Sequence, residues 1–349
     1  MTEVVIIGAG PAGLASAACL SRRGIPYTLL EQGPAAAAGL RRVDPQMTLF
    51  SPARLSRLPG MKLDAGYPTF LQFVAALDRY REEQKIELQT GAEVIGVERR
   101  SGEFVVSYRD GQGQRHERRG THVISATGIV SAPRLPEDFD AAATSLRWLH
   151  SLDVRAEDVA GARRLLVVGG GASAADVLAT WLRVRRPDDW AWISLRSPLR
   201  ALPHRVLGVD LHYLTWLPEH LPAHPIGPRI LTRDGMLGLT VPRAIKAGVI
   251  EQVPGVDRYQ PAAIRTTDGR VLEPDLLVLA TGFRATTPHL GELVEHDPGG
   301  WPKLRRCESL RTRRLYLVGA RFGRTLASPY LRGIARDARH VAGQIARDR

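Results

Sequence analysis

Blocks of consecutive apolar residues recur along this chain, and two of them run directly into glycine clusters. Val4-Val5-Ile6-Ile7 leads into Gly8-Ala9-Gly10-Pro11-Ala12-Gly13, and Leu165-Leu166-Val167-Val168 leads into Gly169-Gly170-Gly171-Ala172-Ser173-Ala174. An uninterrupted apolar block of this length, without alternation, predicts a strand covered on both faces, as in a parallel sheet. After the first cluster the spacing predicts a helix over 12–22, closed by Gly24, and a second strand over Tyr27–Leu30 that ends at Glu31. Residues 35–60 lack strong periodicity and predict a loop over a cofactor. Phe70, Phe73, Val74 and Leu77 put one apolar face on a helix over 68–82. Strands follow over 94–97, 104–108 and His122–Ser125, with Asp110-Gly111 as a hairpin turn.

Near residue 163 the same order begins again. The second glycine cluster opens a helix over 173–183, and a strand over Trp190–Leu195 follows. Each half also carries an Ala-Thr-Gly turn, at Ala126-Thr127-Gly128 and at Ala280-Thr281-Gly282, the latter ending the apolar block Leu276–Leu279. The segment 199–250 is irregular, rich in Pro and His, and has no counterpart in the first half. A strand over 315–320 and a last helix over 330–347, with Ile334, Ala338, Val341 and Ile345 at helical spacing, have no second copy either. A strand–turn–helix–strand order that occurs twice predicts an α/β chain with two Rossmann-like dinucleotide-binding domains. The simplest arrangement returns the unmatched strand and helix to the first domain. That domain would be discontinuous, 1–155 and 275–349, with the second, 156–274, inserted.

Composition narrows the class. A chain of 349 residues with 44% hydrophobic residues is long enough to bury two domain cores. It has no apolar run of about eighteen residues, the length a membrane-crossing helix needs. Its N-terminal block lacks a basic leader and enters a glycine turn at once, so it does not read as a signal peptide, and the cytoplasm is the expected compartment. Two cysteines, Cys19 and Cys307, cannot build a disulfide framework or a metal cluster. Cys19 reads as a small buried hydrophobe, and Cys307, in an Arg-rich stretch, as a surface or edge residue. The formal charge of +12 is almost all arginine, spread from Arg22 to Arg349, with lysine only at Lys62, Lys85, Lys246 and Lys303. No nucleic-acid-binding motif accompanies it, so the attraction of anionic cofactors, not of nucleic acid, is the expected use. His204, Asp210, His212, His220 and His224 fit no standard ligand spacing and are interrupted by Pro203, Pro218, Pro222 and Pro225. A loop-rich flap, with no metal, is the expectation.

The glycine clusters carry the chemistry. Gly8 permits the tight turn, Gly10 the approach of a pyrophosphate to the backbone, and Gly13 the close packing of helix on strand. With Pro11 and Ala12 they open a helix whose N–H groups face the phosphates. Glu31 stands 18 residues beyond Gly13, at a strand end, where a carboxylate accepts from both ribose hydroxyls. That selects an unphosphorylated adenosine ribose, as in FAD or NAD. In the second cluster Gly169, Gly171, Ala172 and Ser173 take the equivalent places, and Ala174 stands for the third glycine. The strand that follows ends in Leu195-Arg196-Ser197, with no acid. Arg196 would clamp a 2′-phosphate and Ser197 donate to it, so this site predicts NADPH. The plainer reading of Arg196 is one more surface arginine. With NADPH on the second site, the first is assigned FAD.

Together these features resemble the two-dinucleotide-binding-domain flavoproteins, with the glutathione-reductase-like fold, over nearly the whole chain. The resemblance places both Ala-Thr-Gly turns at crossovers between the domains. It implies that 275–282, Gly282 included, and Gly319 border the flavin, and that the last helix aims the amides of 331–334, Leu331 and Gly333 among them, at the flavin pyrimidine. Helix-end amides would stabilise negative charge on reduced flavin. It brings Gln32, Arg42 and Val94 into the same FAD site. Disulfide reductases of this group need a redox cysteine pair, and others a cysteine just after the first acid; none lies between Cys19 and Cys307. The segment Leu49-Phe50-Ser51-Pro52-Ala53-Arg54-Leu55-Ser56-Arg57-Leu58-Pro59-Gly60, followed by Tyr67-Pro68-Thr69, is similar instead to the single-chain flavin monooxygenases. Within them it resembles a bacterial subgroup often labelled as flavoproteins of cation transport or heavy-metal resistance. His150-Ser151 and Gly333-Ile334-Ala335-Arg336-Asp337 match the same group.

Some positions depart from the monooxygenase pattern. Thr144 and Leu146 replace an aromatic residue and a glycine, Arg41 replaces a tryptophan although Arg42 matches, and Ala172 replaces an asparagine. No asparagine stands near Phe50-Ser51. These positions are linked in the family to holding NADP near an oxygenated flavin, so they bear on oxygen transfer and leave the cofactors untouched. The resemblance implies an NADPH-dependent flavin monooxygenase in which a C4a-peroxyflavin, formed with molecular oxygen, oxidises a small soft nucleophile or a ketone. Two alternatives stay open: an NADPH-driven reductase or diaphorase serving a quinone, a metal ion or a protein partner, and a non-catalytic flavin-bound sensor. Ser51 and Arg54 are the only catalytic candidates, with capping and pyrophosphate or surface contacts as their plainer roles. The sequence leaves the substrate and the oligomeric state, a homodimer included, unspecified.

Overall fold

The computed structural model describes residues 3–129, 132–223, 235–284 and 287–349, so His224 and Pro225 lie outside the described residues. Two parallel sheets organise the chain. The first runs Tyr27–Leu30, Val4–Ile7, His122–Ser125 and Leu315–Leu317, then continues antiparallel through Glu308–Ser309 and Leu304–Arg305. Every residue of Val4–Ile7 is buried because its two faces serve two cores. Val4 and Ile6 pack beneath the helices Pro11–Ser21 and Leu331–Arg347, with Leu14, Val341 and Ile345. Val5 and Ile7 face the antiparallel ribbon Glu93–Arg100, Glu103–Arg109 and Arg115–Gly120, against Phe104 and Val106. Apolar residues at every position are what two-sided burial demands.

The second sheet runs Ile250–Pro254, Trp190–Leu195, Arg164–Val168, Leu276–Leu279 and Trp148–His150, all parallel. Leu165 and Val167 meet Val177, Leu178 and Trp181 of the helix Ala172–Val184. Leu166, Leu277 and Leu279 meet Ile264 and Leu272 of a second antiparallel ribbon. The fold is thus α/β with two Rossmann-like units. The strand Leu315–Leu317 joins the first sheet. Trp148–His150 and Leu276–Leu279 both pair within the second sheet, so strands at each end of the predicted insertion lie across its expected boundaries.

Local differences from the sequence reading have physical causes. The helix expected over 68–82 begins at Phe70 because Thr69 caps it: Thr69 Oγ1 accepts from Gln72 N at 3.2 Å, and Gln72 Oε1 accepts from Thr69 N at 2.9 Å. The expected loop over 35–60 contains two short helices, Ala38–Arg41 and Ala53–Ser56. Cys307 is fully buried instead of lying at the surface. The turn after Leu304–Arg305 passes through Arg306 and Cys307 at φ of 53° and 71°, which tucks Cys307 inward, and its N–H bonds to Gly323 O at 2.8 Å. No helix among the described residues is long and apolar enough to cross a membrane.

Candidate functional site

Gly8 adopts a φ of +94°, and a Cβ there would lie 2.9 Å from Ala126 O of the first Ala-Thr-Gly turn. A Cβ on Gly13 would stand 1.9 Å from Gly8 O. Strand end, helix start and crossover are therefore in contact through backbone, and no side chain fits at either position. Gly10 differs. A Cβ there would meet nothing within 4 Å, and Gly10 is the N-cap of Pro11–Ser21 with no side-chain cap. Pro11 occupies the first helical turn, where its missing N–H is no loss. Open space before uncapped helix amides fits a pyrophosphate. Glu31 is buried, and its carboxylate accepts from Ala9 N at 2.8 Å and Gly33 N at 2.9 Å. A carboxylate has about four acceptor positions, so two remain for a ribose diol. Sequence reasoning missed this bracing role, which the following Gly33 alone could have hinted at. Gln32 is exposed beside it, and Val94 is half-buried against the core below.

The second turn repeats this relation at its first glycine. Gly169 has a φ of +125°, and its Cβ would lie 2.3 Å from Ala280 O of the second Ala-Thr-Gly turn. Gly171 caps the helix Ala172–Val184 without a side-chain bond, and a Cβ there would meet nothing within 4 Å. Ala172 and Ser173 form the half-buried first turn, while Ala174, in the place of Gly13, is fully buried with its methyl in the core. Arg196 and Ser197 are exposed just beyond the strand Trp190–Leu195. The stem of Arg196 lies against Gly255, whose Cβ would come within 2.8 Å of Arg196 Cγ. Among the described residues no carboxylate pairs with its guanidinium.

The two crossovers meet. Phe283–Arg284 pairs with Ala132–Pro133, and Thr281 Oγ1 donates to Arg134 O. Each crossover has a buried histidine. His150 Nε2 donates to Gly282 O at 3.1 Å and its Nδ1 accepts from Leu152 N at 3.2 Å, an arrangement that requires the neutral Nε2–H ring. Burial lowers its pKa against the opposing pull of the Gly282 carbonyl. His289 Nε2 lies 3.3 Å from Ser125 Oγ, just before Ala126, and burial pulls its pKa down to about 4. Thr127 and Gly128 line a cavity of about 20 Å³ with Arg321 and Trp301.

The remaining predicted positions are distributed around this core. Gly319 packs on the first helix; its Cβ would lie 3.3 Å from Ala12 Cβ. Leu331 opens the terminal helix behind the uncapped Tyr330. Gly333 is required there by packing, since a Cβ would fall 2.1 Å from Ala327 O. Between them, Arg332 binds Glu219 through two nitrogens, with Nη2 to Oε1 at 2.8 Å. Arg42 is drawn to Asp153, at 2.6 Å. Ser51 is buried with its Oγ 3.0 Å from Ser56 Oγ, and Arg54 is exposed. In the flap, Tyr67 donates to Asp210, whose other oxygen lies 3.0 Å from His212 Nδ1, and His220 Nδ1 donates to Trp216 O at 2.6 Å. Among the described residues no three His, Cys, Asp or Glu side chains gather into a metal-binding group.

A pair of facing dinucleotide folds in one chain, each opened by an uncapped glycine turn, defines a flavoprotein oxidoreductase with one fold for each end of a hydride transfer. Residues 5–184 match the pyridine nucleotide-disulphide oxidoreductase family, and the chain belongs to it. It is 28% identical over 386 residues to indole-3-pyruvate monooxygenase YUCCA1 of Oryza sativa subsp. japonica, covering 98% of this chain and 90% of that protein. A flavin-containing monooxygenase from Stenotrophomonas maltophilia superposes with a TM-score of 0.80 at 25% identity, over 100% of this chain and 99% of the other. The bacillithiol disulfide reductase Bdr of Bacillus cereus shares the fold, with a TM-score of 0.76 at 17% identity over 100% and 99% of the two chains. Within the family the chain groups with the flavin monooxygenases, and it is an oxidoreductase dependent on FAD and NADPH.

Proposed function

We propose that the protein uses NADPH and molecular oxygen to place one oxygen atom in a small soft nucleophile or a carbonyl compound. NADPH, a proton, oxygen and the substrate give NADP⁺, water and the oxygenated product, so atoms and electrons balance. The observation that carries this reading is the lack of a thiol route in a two-dinucleotide flavoprotein: the chain has two cysteines, and both are free and buried in the core of the first unit. The similarity to monooxygenases along nearly the whole chain supports it.

FAD, when bound, supplies the two-electron and oxygen chemistry. On our reading Gly8, Gly10, Pro11, Ala12 and Gly13 present backbone to its pyrophosphate, and Glu31, with Gln32 beside it, takes the ribose. Ala126, Thr127, Gly128, Gly282 and Gly319 border its path, and the amides at Leu331 and Gly333 take the pyrimidine end. Gly169, Gly171, Ala172, Ser173 and Ala174 receive the NADPH pyrophosphate, and Arg196 with Ser197 holds its 2′-phosphate. His150 ties the crossovers and moves no proton. A discontinuous FAD domain with an inserted NADPH domain is our division of the chain, with the strands Trp148–His150 and Leu276–Leu279 counted to the inserted unit. The narrower tie to the bacterial cation-transport subgroup rests on the segments 49–60 and 67–69, and the proposed reaction consumes no metal ion.

The test is rapid mixing of NADPH-reduced holoprotein with oxygen, together with product stoichiometry. We expect a transient absorbing species before the oxidised flavin spectrum returns, and one oxygenated product per NADPH. Hydrogen peroxide formed in step with NADPH, or fast quinone reduction without oxygenated product, would replace this reading with a reductase.

A further inference from the structure

A separate cavity of about 160 Å³ lies where Gln46 and Thr48 of the first half face the helix Ala172–Val184 and His204 of the flap. Asp176, Thr180 and Arg183 line it from one face of that helix, at successive spacings of four and three residues. Thr180 Oγ1 accepts from Arg183 Nη2 at 3.0 Å. Asp176 has neither a hydrogen bond nor an ion pair from its carboxyl among the described residues. Burial pushes its pKa up to about 7, with Arg183 pulling the other way. Asp176 is half-buried and lines the cavity, so its unpaired carboxyl is open to a ligand that would complete it.

The chemistry of the lining selects the ligand. A divalent cation needs several hard oxygen ligands, and no group of three metal-ligating side chains gathers among the described residues. A single ammonium brings one charge and three N–H donors, which match the Asp176 carboxylate, the Thr48 hydroxyl and the Gln46 amide oxygen. We infer that this cavity binds a small molecule through a cationic nitrogen held by Asp176, and that Asp176 selects amines over anionic keto acids such as the indole-3-pyruvate in the plant relatives' names. Making the bound amine the substrate rests on the monooxygenase reading; its binding does not.

The experiment is calorimetric titration of oxidised holoprotein with n-butylamine, without NADPH. Affinity should rise roughly tenfold from about pH 6 to about pH 8, as Asp176 ionises. Among the described lining residues Arg183 and His204 are the other titratable groups. His204→Gln is titrated alongside and should keep most of the pH dependence. Asp176→Asn should weaken n-butylamine at least tenfold, flatten its pH profile and improve pyruvate binding, with FAD content unchanged. Absence of amine binding, indifference to Asp176→Asn, or tighter pyruvate than amine binding in the native protein would overturn the inference. Amine that binds with this profile while NADPH yields only hydrogen peroxide would leave the site standing and remove the monooxygenase reading.

Discussion

At the first glycine turn Gly8, Gly13 and Ala126 touch through backbone, and Glu31 braces the loop with both carboxylate oxygens. At the second, Gly169 is pressed closer still to Ala280 O, yet Ala174 carries a methyl where Gly13 carries none, and the strand end presents an exposed Arg196. The first geometry suits a cofactor that stays: a closed turn, a buried acid and no side chain to displace. The second suits a coenzyme that comes and goes, held at its rim by an exposed cation. Gly13→Ala should break the comparison most severely. A Cβ 1.9 Å from Gly8 O forces the helix off the strand, at a cost of about 3 kcal/mol or more. We expect protein that purifies without FAD and unfolds at lower urea. A yellow Gly13→Ala protein of native stability would remove the distinction between the turns.

The legible part of this architecture is the part determined locally. The buried strands announce themselves because two-sided burial excludes polar residues, and the glycine turns because backbone contact excludes side chains. The strand Arg115–Gly120 was not legible: it reads Arg-His-Glu-Arg-Arg-Gly, the charged composition of a protected sheet edge. Trp148–His150 is too short to show a period. The site's supporting contacts depend on residues far apart in sequence. His150 meets Gly282 across 132 residues and His289 meets Ser125 across 164. Cys307 reads as a surface residue until the left-handed turn that carries it inward is seen. Asp176 carries no sequence signal beyond its place on a helix; its meaning comes from a loop in the other half.

The paired histidines offer a second test of the two halves. Burial holds the His289 pKa down to about 4, so the unfolded chain takes up more protons as pH falls below its usual range. The stability from neutral His289 is complete above about pH 6.5 and is lost as pH falls towards about 4, a total of about 3 kcal/mol. His289→Gln should flatten the acid limb of stability measured by denaturation between those limits. In the native protein, FAD release should follow the same limb, because His289 sits against the first crossover. Equal acid sensitivity in the variant would assign the loss elsewhere.

Arg196→Ala isolates the rim of the second turn. Charge-assisted bonds to a phosphate contribute about 1.5–3 kcal/mol, so the KM for NADPH should rise roughly 10–100-fold. NADH, lacking the phosphate, should change by no more than about twofold. FAD content should be unaffected. Unchanged use of both coenzymes would return Arg196 to the arginine-rich surface.

The smallest effect is the most discriminating, because it places the same residue pair in the other turn. Ala174→Gly gives the second helix start the third glycine of the first. If the second turn is already relaxed around a methyl, removing it opens a small gap in the core and adds backbone freedom. Together these should destabilise by about 1 kcal/mol, the helix-propensity difference between the residues. The NADPH KM should move by no more than about twofold, since the approach to the pyrophosphate is set by Gly171 and not by residue 174. Ala174→Gly that tightens NADPH well beyond that would mean the second turn closes onto its ligand once the methyl is gone, and that Ala174 keeps the coenzyme exchangeable. Gly13 and Ala174 would then differ in what they do to ligand residence, not only in how closely the helix packs.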